Sequence, residues 1–218
     1  MPPFLLLYIA FNPGFPVYQT VPADDIQIDT LNLYVRTHIM ARTTFQGPVR
    51  SLGGIYQQGP ATVVEITAST TLSPDAHGGR IISVGGSLAA AVTLTLPAIN
   101  TSSNPTTSGP GQDPSTANNE GVVYTIWVPT TISTSSLKIG TNGTNKFVGS
   151  VISVDTDSSD AVVGFTAGAT NDFINLNGTT TGGVAGTWIQ IVAIAANKYM
   201  VTGNVLGSGT VATPFADS

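Results

Sequence analysis

Residues 187–203, TWIQIVAIAANKYMVTG, decide the fold class. From Trp188 to Ile194 the side chains alternate, with Trp188, Gln190, Val192 and Ile194 opposing Ile189, Ile191 and Ala193. A period of two belongs to an extended strand. Both sets are mostly apolar, which predicts a central strand covered on each side, or a face buried against another subunit. A short polar turn through Ala196 and Asn197 then leads into a second run, KYMVTG at 198–203, so the two runs form a hairpin.

Segments of the same kind recur on the N-terminal side: TVVEITA at 62–68, RIISV at 80–84, AVTLTL at 91–96, VVYTIWV at 122–128, SLKI at 136–139, KFVGSVISV at 146–154, AVVGF at 161–165 and DFINL at 172–176. Gly, Asn, Asp, Ser and Pro clusters separate them, and β-branched residues fill them, as strands require. Alternation is clearest where Val92, Leu94 and Leu96 share one face and Thr93 and Thr95 the other. No helical period intervenes, so residues 61–205 are predicted to be all-β, a β-sandwich or jelly-roll-like domain. Composition agrees, since only 9% of residues are charged and solvent-facing helices are usually built from Glu, Lys, Arg and Gln. The surface is left to Thr, Ser, Asn and Gly.

Residues 100–120, NTSSNPTTSGPGQDPSTANNE, carry almost no apolar side chain and hold Pro105, Pro110 and Pro114. They cannot form a core strand and are expected to project as a loop from one end of the sandwich. Residues 206–218 read as a Gly-rich tail whose one aromatic, Phe215, packs on a neighbour or frays with it.

At the other end, residues 1–39 are broken by Pro2, Pro3, Pro13, Pro16 and Pro22 and show no period. Their apolar run, FLLLYIAF from Phe4 to Phe11, is well short of the roughly 20 residues that span a bilayer. It also lacks the basic flank of a secretory signal. The segment MARTTFQGPVRSLGG from Met40 reads like a protein start, so residues 1–39 are expected to lie upstream of the working chain. The alternative is an N-terminal extension that docks through Phe4, Tyr8, Phe11 and Phe15.

A net charge of −5, with seven basic residues dispersed along the chain, offers no surface for neutralising phosphates. No nucleic-acid partner and no membrane are expected. The absence of cysteine removes disulfides, thiolate metal sites and thiol nucleophiles together.

Candidate chemistry is sparse. His77 lies in SPDAHGGR beside Asp75 and Ser73, which supplies triad residue types on one turn, whereas triads are assembled from separated segments. His77 therefore reads as part of a turn. The run Asp155, Asp157 and Asp160 begins like a calcium loop but has Asp160 where the sixth-position Gly belongs and no Glu at the twelfth. It remains a weak metal candidate beside the reading as a polar turn, and no cofactor is expected. Glu65 has no carboxylate partner at fixed spacing, so a glycosidase pair would require a tertiary coincidence. Asn100, Asn142 and Asn177 match the glycosylation pattern, as an Asn- and Thr-rich chain often does. Tyr124, Trp127, Trp188 and Tyr199 all fall inside predicted strands and read as core; a sugar-stacking platform would need them exposed on one face.

The order of these segments resembles a family. MARTTFQGPVRSLGG is similar to the opening of small virion proteins of tailed bacteriophages, with a short arm before a β-domain. TLSPDAHGGRIISV, VTLTLPA, GVVYTIWV, GTWIQIVAI and KYMVTG resemble the β-domain of capsid decoration, cement and head-fibre proteins. Leu94, Leu96, Pro97, Ala98, Gly121, Tyr124, Tyr199, Val201 and Gly203 stand in the places of that pattern. The likeness covers about residues 40–206 and departs from the pattern at the polar loop 100–120 and at residues 1–39.

The resemblance implies a non-enzymatic structural protein of the virion, a homotrimer on the capsid exterior with the major capsid protein as partner. Residues 40–60 would be the extended capsid-binding arm, with Phe45, Pro48, Val49, Arg50, Ile55 and Tyr56 as its contacts. Trp188, Ile189, Ile191 and Phe215 are the candidates for the subunit interface. The competing reading is a tail-fibre or host-attachment module that meets a glycan. A third, a polysaccharide-cleaving enzyme, would need Glu65 and an Asp across a groove.

Overall fold

The computed structural model describes residues 62–88, 90–101, 118–157 and 161–217. The strands in chain order are β1 (Val63–Glu65), β2 (Thr70–Thr71), β3 (Ile81–Ser83), β4 (Val92–Thr95), β5 (Val123–Trp127), β6 (Leu137–Gly140), β7 (Lys146–Asp155), β8 (Val162–Thr166), β9 (Phe173–Leu176), β10 (Trp188–Ala195), β11 (Lys198–Gly207) and β12 (Phe215–Ala216). One helical turn, α1 (Pro74–His77), interrupts them. Each segment expected to be extended contains a strand; β2 and β12, two residues apiece, are additional.

The strands form a seven-stranded sheet, β1-β3-β5-β10-β11-β7-β8, and a five-stranded sheet, β12-β9-β6-β4-β2. From β1 to β6 the chain alternates between the sheets, so each return to a sheet follows a full circuit rather than a hairpin. Strands laid down that way run in the same direction, and β1–β3, β3–β5, β2–β4 and β4–β6 are parallel. Parallel neighbours need a long crossover; here the other sheet takes the place of the usual helix. Antiparallel pairing enters with β7–β8, β6–β9, β5–β10, β10–β11 and β9–β12, while β7–β11 is again parallel. Two mixed sheets thus stand where a jelly roll would have antiparallel strands throughout.

Inward side chains of both sheets form one core. Val64, Ile82 and Ile126 lie in register across the large sheet, as do Leu94, Ile139 and Ile174 across the small one. Val92, Leu94 and Leu96 are buried, as their alternation predicts, and Thr93 and Thr95 face away. At the β10–β11 turn Asn197 adopts a positive φ of 63°, and the ladder slips a register between Ala193 and Ala195. An Asn in the left-handed region beside a bulge is a standard way to close a short hairpin.

The 100–120 insertion leaves between β4 and β5, and its ends are pinned to each other. Asn119 N donates to Asn100 O at 3.1 Å, Asn100 N donates to Asn119 Oδ1 at 2.8 Å, and Asn119 Nδ2 donates to Ala98 O at 2.8 Å. The tail also has an anchorage in its own chain. Phe215 pairs with Ile174 at the edge of the small sheet and is buried, and Asp217 accepts from Thr170 Oγ1 and Asn171 Nδ2. The expectation that this segment frays or reaches a neighbour is corrected accordingly.

Candidate functional site

Strand parity assigns every residue of β5 and β10 to one of two faces. Tyr124 and Ile126, with Ile189, Ile191 and Ala193, enter the core and are essentially inaccessible. Val123, Thr125 and Trp127, with Trp188, Gln190 and Val192, stand on the outer face of the seven-stranded sheet. Of the four residues expected at a subunit interface, Trp188 alone is on the surface; Ile189, Ile191 and Phe215 are core. The expectation that both tryptophans are core is also corrected: Trp127 is 40% and Trp188 39% exposed.

The two rings are partners. Trp127 and Trp188 are opposed across the β5–β10 ladder; on the same ladder Val128 N donates to Thr187 O at 2.9 Å and Ala193 N to Val122 O at 3.2 Å. Alternation then makes Trp127–Trp188 a non-hydrogen-bonded pair, the kind in which opposed side chains lie closest. They are the only tryptophans in the chain. Their row continues through Ser83 and Glu65 to one edge, and through Asn204, Ile152 and Gly164 to the other.

Around this pair the face is almost uncharged and mixes apolar with neutral polar side chains. Val63, Ile81, Ile152, Val162, Ile194 and Met200 are exposed on it or at its margin. Thr125, Gln190 and Thr202 form a neutral polar row next to the rings. Charges stay at the periphery, with Glu65 on edge strand β1 and Lys146 and Lys198 at the starts of β7 and β11. Exposed apolar patches of several hundred Å² on soluble proteins commonly mark interaction sites. The outward side of the smaller sheet differs, since Thr71, Thr93, Thr95, Lys138 and Asn175 occupy it, with the Phe173 ring over Gly140.

The remaining candidates take structural positions. Ser73 caps α1 by accepting from Ala76 N at 3.3 Å, while His77 Nδ1 accepts from Ser73 N at 3.0 Å. The imidazole thereby closes its own turn. Asp155 Oδ1 accepts from Asp157 N at 3.1 Å, and Asp157 Oδ2 accepts from Gly209 N at 2.6 Å, so these carboxylates tie the end of β7 to the tail. Asp160 lies outside the described residues, and among those described no cluster of three or more His, Asp or Glu could hold a metal ion. Glu65 sits on an exposed edge strand. Phe45, Pro48, Val49, Arg50, Ile55 and Tyr56 also lie outside the described residues. No helix among the described residues is long and apolar enough to cross a membrane.

In the core, Tyr124 and Tyr199 have their phenol pKa values raised, in both cases first by burial. The Asp75 carboxylate adds to the effect on Tyr124, and Tyr124 adds to that on Tyr199. Both are neutral packing residues, as expected from their places in the strands.

Comparison with known protein families, with curated proteins and with solved structures finds no match for this chain.

Proposed function

We propose that this chain is a structural protein of a tailed-bacteriophage virion that decorates or cements the capsid, with the major capsid protein as its partner. The observation that carries the reading is the nearly uncharged outer face of the seven-stranded sheet, which exposes Trp127 and Trp188 and is suited to packing in an assembly. Decoration depends on many weak contacts that symmetric repetition multiplies. A β-domain that exposes such a face has a part for that task. In this reading residues 40–60 lie on the shell, with Phe45, Pro48, Val49, Ile55 and Tyr56 as apolar anchors and Arg50 beside them, the residue mixture that interface cores favour.

Side-by-side exposure of the two indoles favours one second reading, a tail-fibre or attachment module that stacks a glycan on Trp127 and Trp188. Copy number separates the two. Quantitative mass spectrometry and cryo-microscopy of the particle should find hundreds of copies on the capsid exterior for a decoration protein, against a handful at the tail for an attachment module. Deleting residues 40–60 should abolish attachment to empty capsids, whereas replacing residues 102–117 by a Gly-Ser link should leave it nearly unchanged. The reverse pair of results would overturn the decoration reading.

A further inference from the structure

We infer that the outer face of the seven-stranded sheet is the surface through which copies of this chain associate, with Trp127 and Trp188 as its aromatic anchors. It names the contact surface for the self-association that the virion reading expects, and it stands on the geometry of the face alone.

Position is the first argument. β10 is the middle strand of the seven and β5 its neighbour, so the indole pair lies at mid-width of the face, where β5 ends and β10 begins. The residues that dominate binding energy in interfaces are enriched in Trp and cluster near the geometric centre. The exposed aliphatics spread from Val63 on one edge strand to Val162 on the other. That breadth exceeds what a sugar ring stacked on two indoles would use.

Charge is the second. Copies of a chain with net charge −5 repel one another wherever their acidic surfaces meet. A surface that faces its own copy must therefore be neutral or self-complementary. On the central strands the outward polar groups beside the rings are Thr125, Gln190, Thr202 and Asn204, and the one charge, Lys198, stands apart at the start of β11. Hydroxyls and carboxamides both donate and accept, so each can pair with its symmetry mate, as two like-charged side chains cannot.

Area is the third. Seven strands at the usual spacing make a face about 30 Å wide, and the eight to ten residues of β7, β10 and β11 make its middle about 26–33 Å tall. That accommodates the roughly 800 Å² per partner of a standard stable interface. The smaller sheet, with Lys138 and a row of threonines on its outward side, lacks this character.

Because the only two tryptophans lie on the proposed contact, intrinsic fluorescence reads it directly in the full-length protein. Sedimentation velocity over a micromolar dilution series should show an oligomer dissociating. Acrylamide quenching and red shift of the emission should rise over the same concentrations. The double variant Trp127→Lys/Trp188→Lys should raise the dissociation constant at least about 100-fold, the loss expected when two hot-spot residues are removed. Its far-ultraviolet circular dichroism should match that of the parent, and Thr71→Lys on the other sheet should leave assembly unchanged. If the double variant misfolds, dilution of the unmodified chain still decides. A persistent monomer, whether its tryptophans are shielded by residues 1–61 or open to quencher and titratable with neutral oligosaccharide, overturns the inference. So does an oligomer whose dissociation leaves tryptophan emission unmoved.

Discussion

Tyr199 donates its phenolic hydroxyl to the carbonyl oxygen of Pro97 at 2.8 Å, whereas the equally buried hydroxyl of Tyr124 has no hydrogen-bond partner among the described residues. The two rings are inaccessible in the same core, so a single-atom deletion at each separates packing from hydrogen bonding. Tyr199→Phe is expected to cost about 1–2 kcal/mol, because it removes a bond and leaves the Pro97 carbonyl with less to accept. Tyr124→Phe should be neutral or stabilising by up to about 1 kcal/mol, since it removes a buried polar group that gains nothing in the folded state. Urea unfolding of the two variants measures both; equal losses would show that Tyr124 Oη has a partner in solution.

Alkaline pH should expose the same feature. Both tyrosines have a folded-state pKa raised above the unfolded value by burial. Below the unfolded value of about 10 the phenols are neutral in both states and stability is unaffected. Above it the unfolded chain releases protons that the native state retains, so stability falls with a slope of up to about 1.4 kcal/mol per pH unit for each tyrosine. Denaturation midpoints measured across this range should decline, and Tyr124→Phe should make the decline shallower. A midpoint that holds steady through phenol ionisation of the unfolded chain would contradict the assignment.

The Asn100–Asn119 clasp makes the insertion separable from the domain it leaves. Asn119 is buried, and its side chain holds both the Asn100 amide and the Ala98 carbonyl. Asn119→Ala should therefore cost about 2–3 kcal/mol, the combined effect of two lost bonds and the buried groups left behind. Replacing residues 102–117 by a short Gly-Ser link while keeping both asparagines should change stability by less than about 1 kcal/mol, since loop-closure entropy varies only slowly with length. Thermal unfolding of the two variants checks the contrast.

The strands were legible because Val92–Leu96 and Trp188–Ile194 carry a period of two that survives any tertiary arrangement. Their directions were not. Alternation looks the same in parallel and antiparallel strands, and partners such as Ile82 and Ile126 or Leu94 and Ile139 are joined only by the circuit through the opposite sheet. Thr70–Thr71 and Phe215–Ala216 are too short to show a period at all. For the site, a usable signal lay in VVYTIWV: Tyr124 and Trp127 have opposite parity in an extended strand, so the two cannot share one core. Trp188 and Ile189 oppose each other in the same way, which rules out a single interface containing both. Choosing the inner member of each pair required the ladder between β5 and β10, because both faces of β10 are largely apolar.

A pair of glycines tests how tightly the second half of the chain closes over the core. Gly182 has a φ of 95°, and a Cβ built there would overlap Cγ1 of buried Val205 on β11. Gly182→Ala combines a left-handed backbone with a steric clash inside a packed core, and should cost about 2–4 kcal/mol. Gly164 on edge strand β8 has open space where its Cβ would go. There Gly164→Ala reduces the freedom of the unfolded chain without strain in the native one, and should stabilise by about 0.4–1 kcal/mol. Opposite signs in urea unfolding are the expected outcome. If Gly182→Ala proved as mild as Gly164→Ala, the segment from Gly178 to Gly186 would have to lie farther from Val205 than the fold places it.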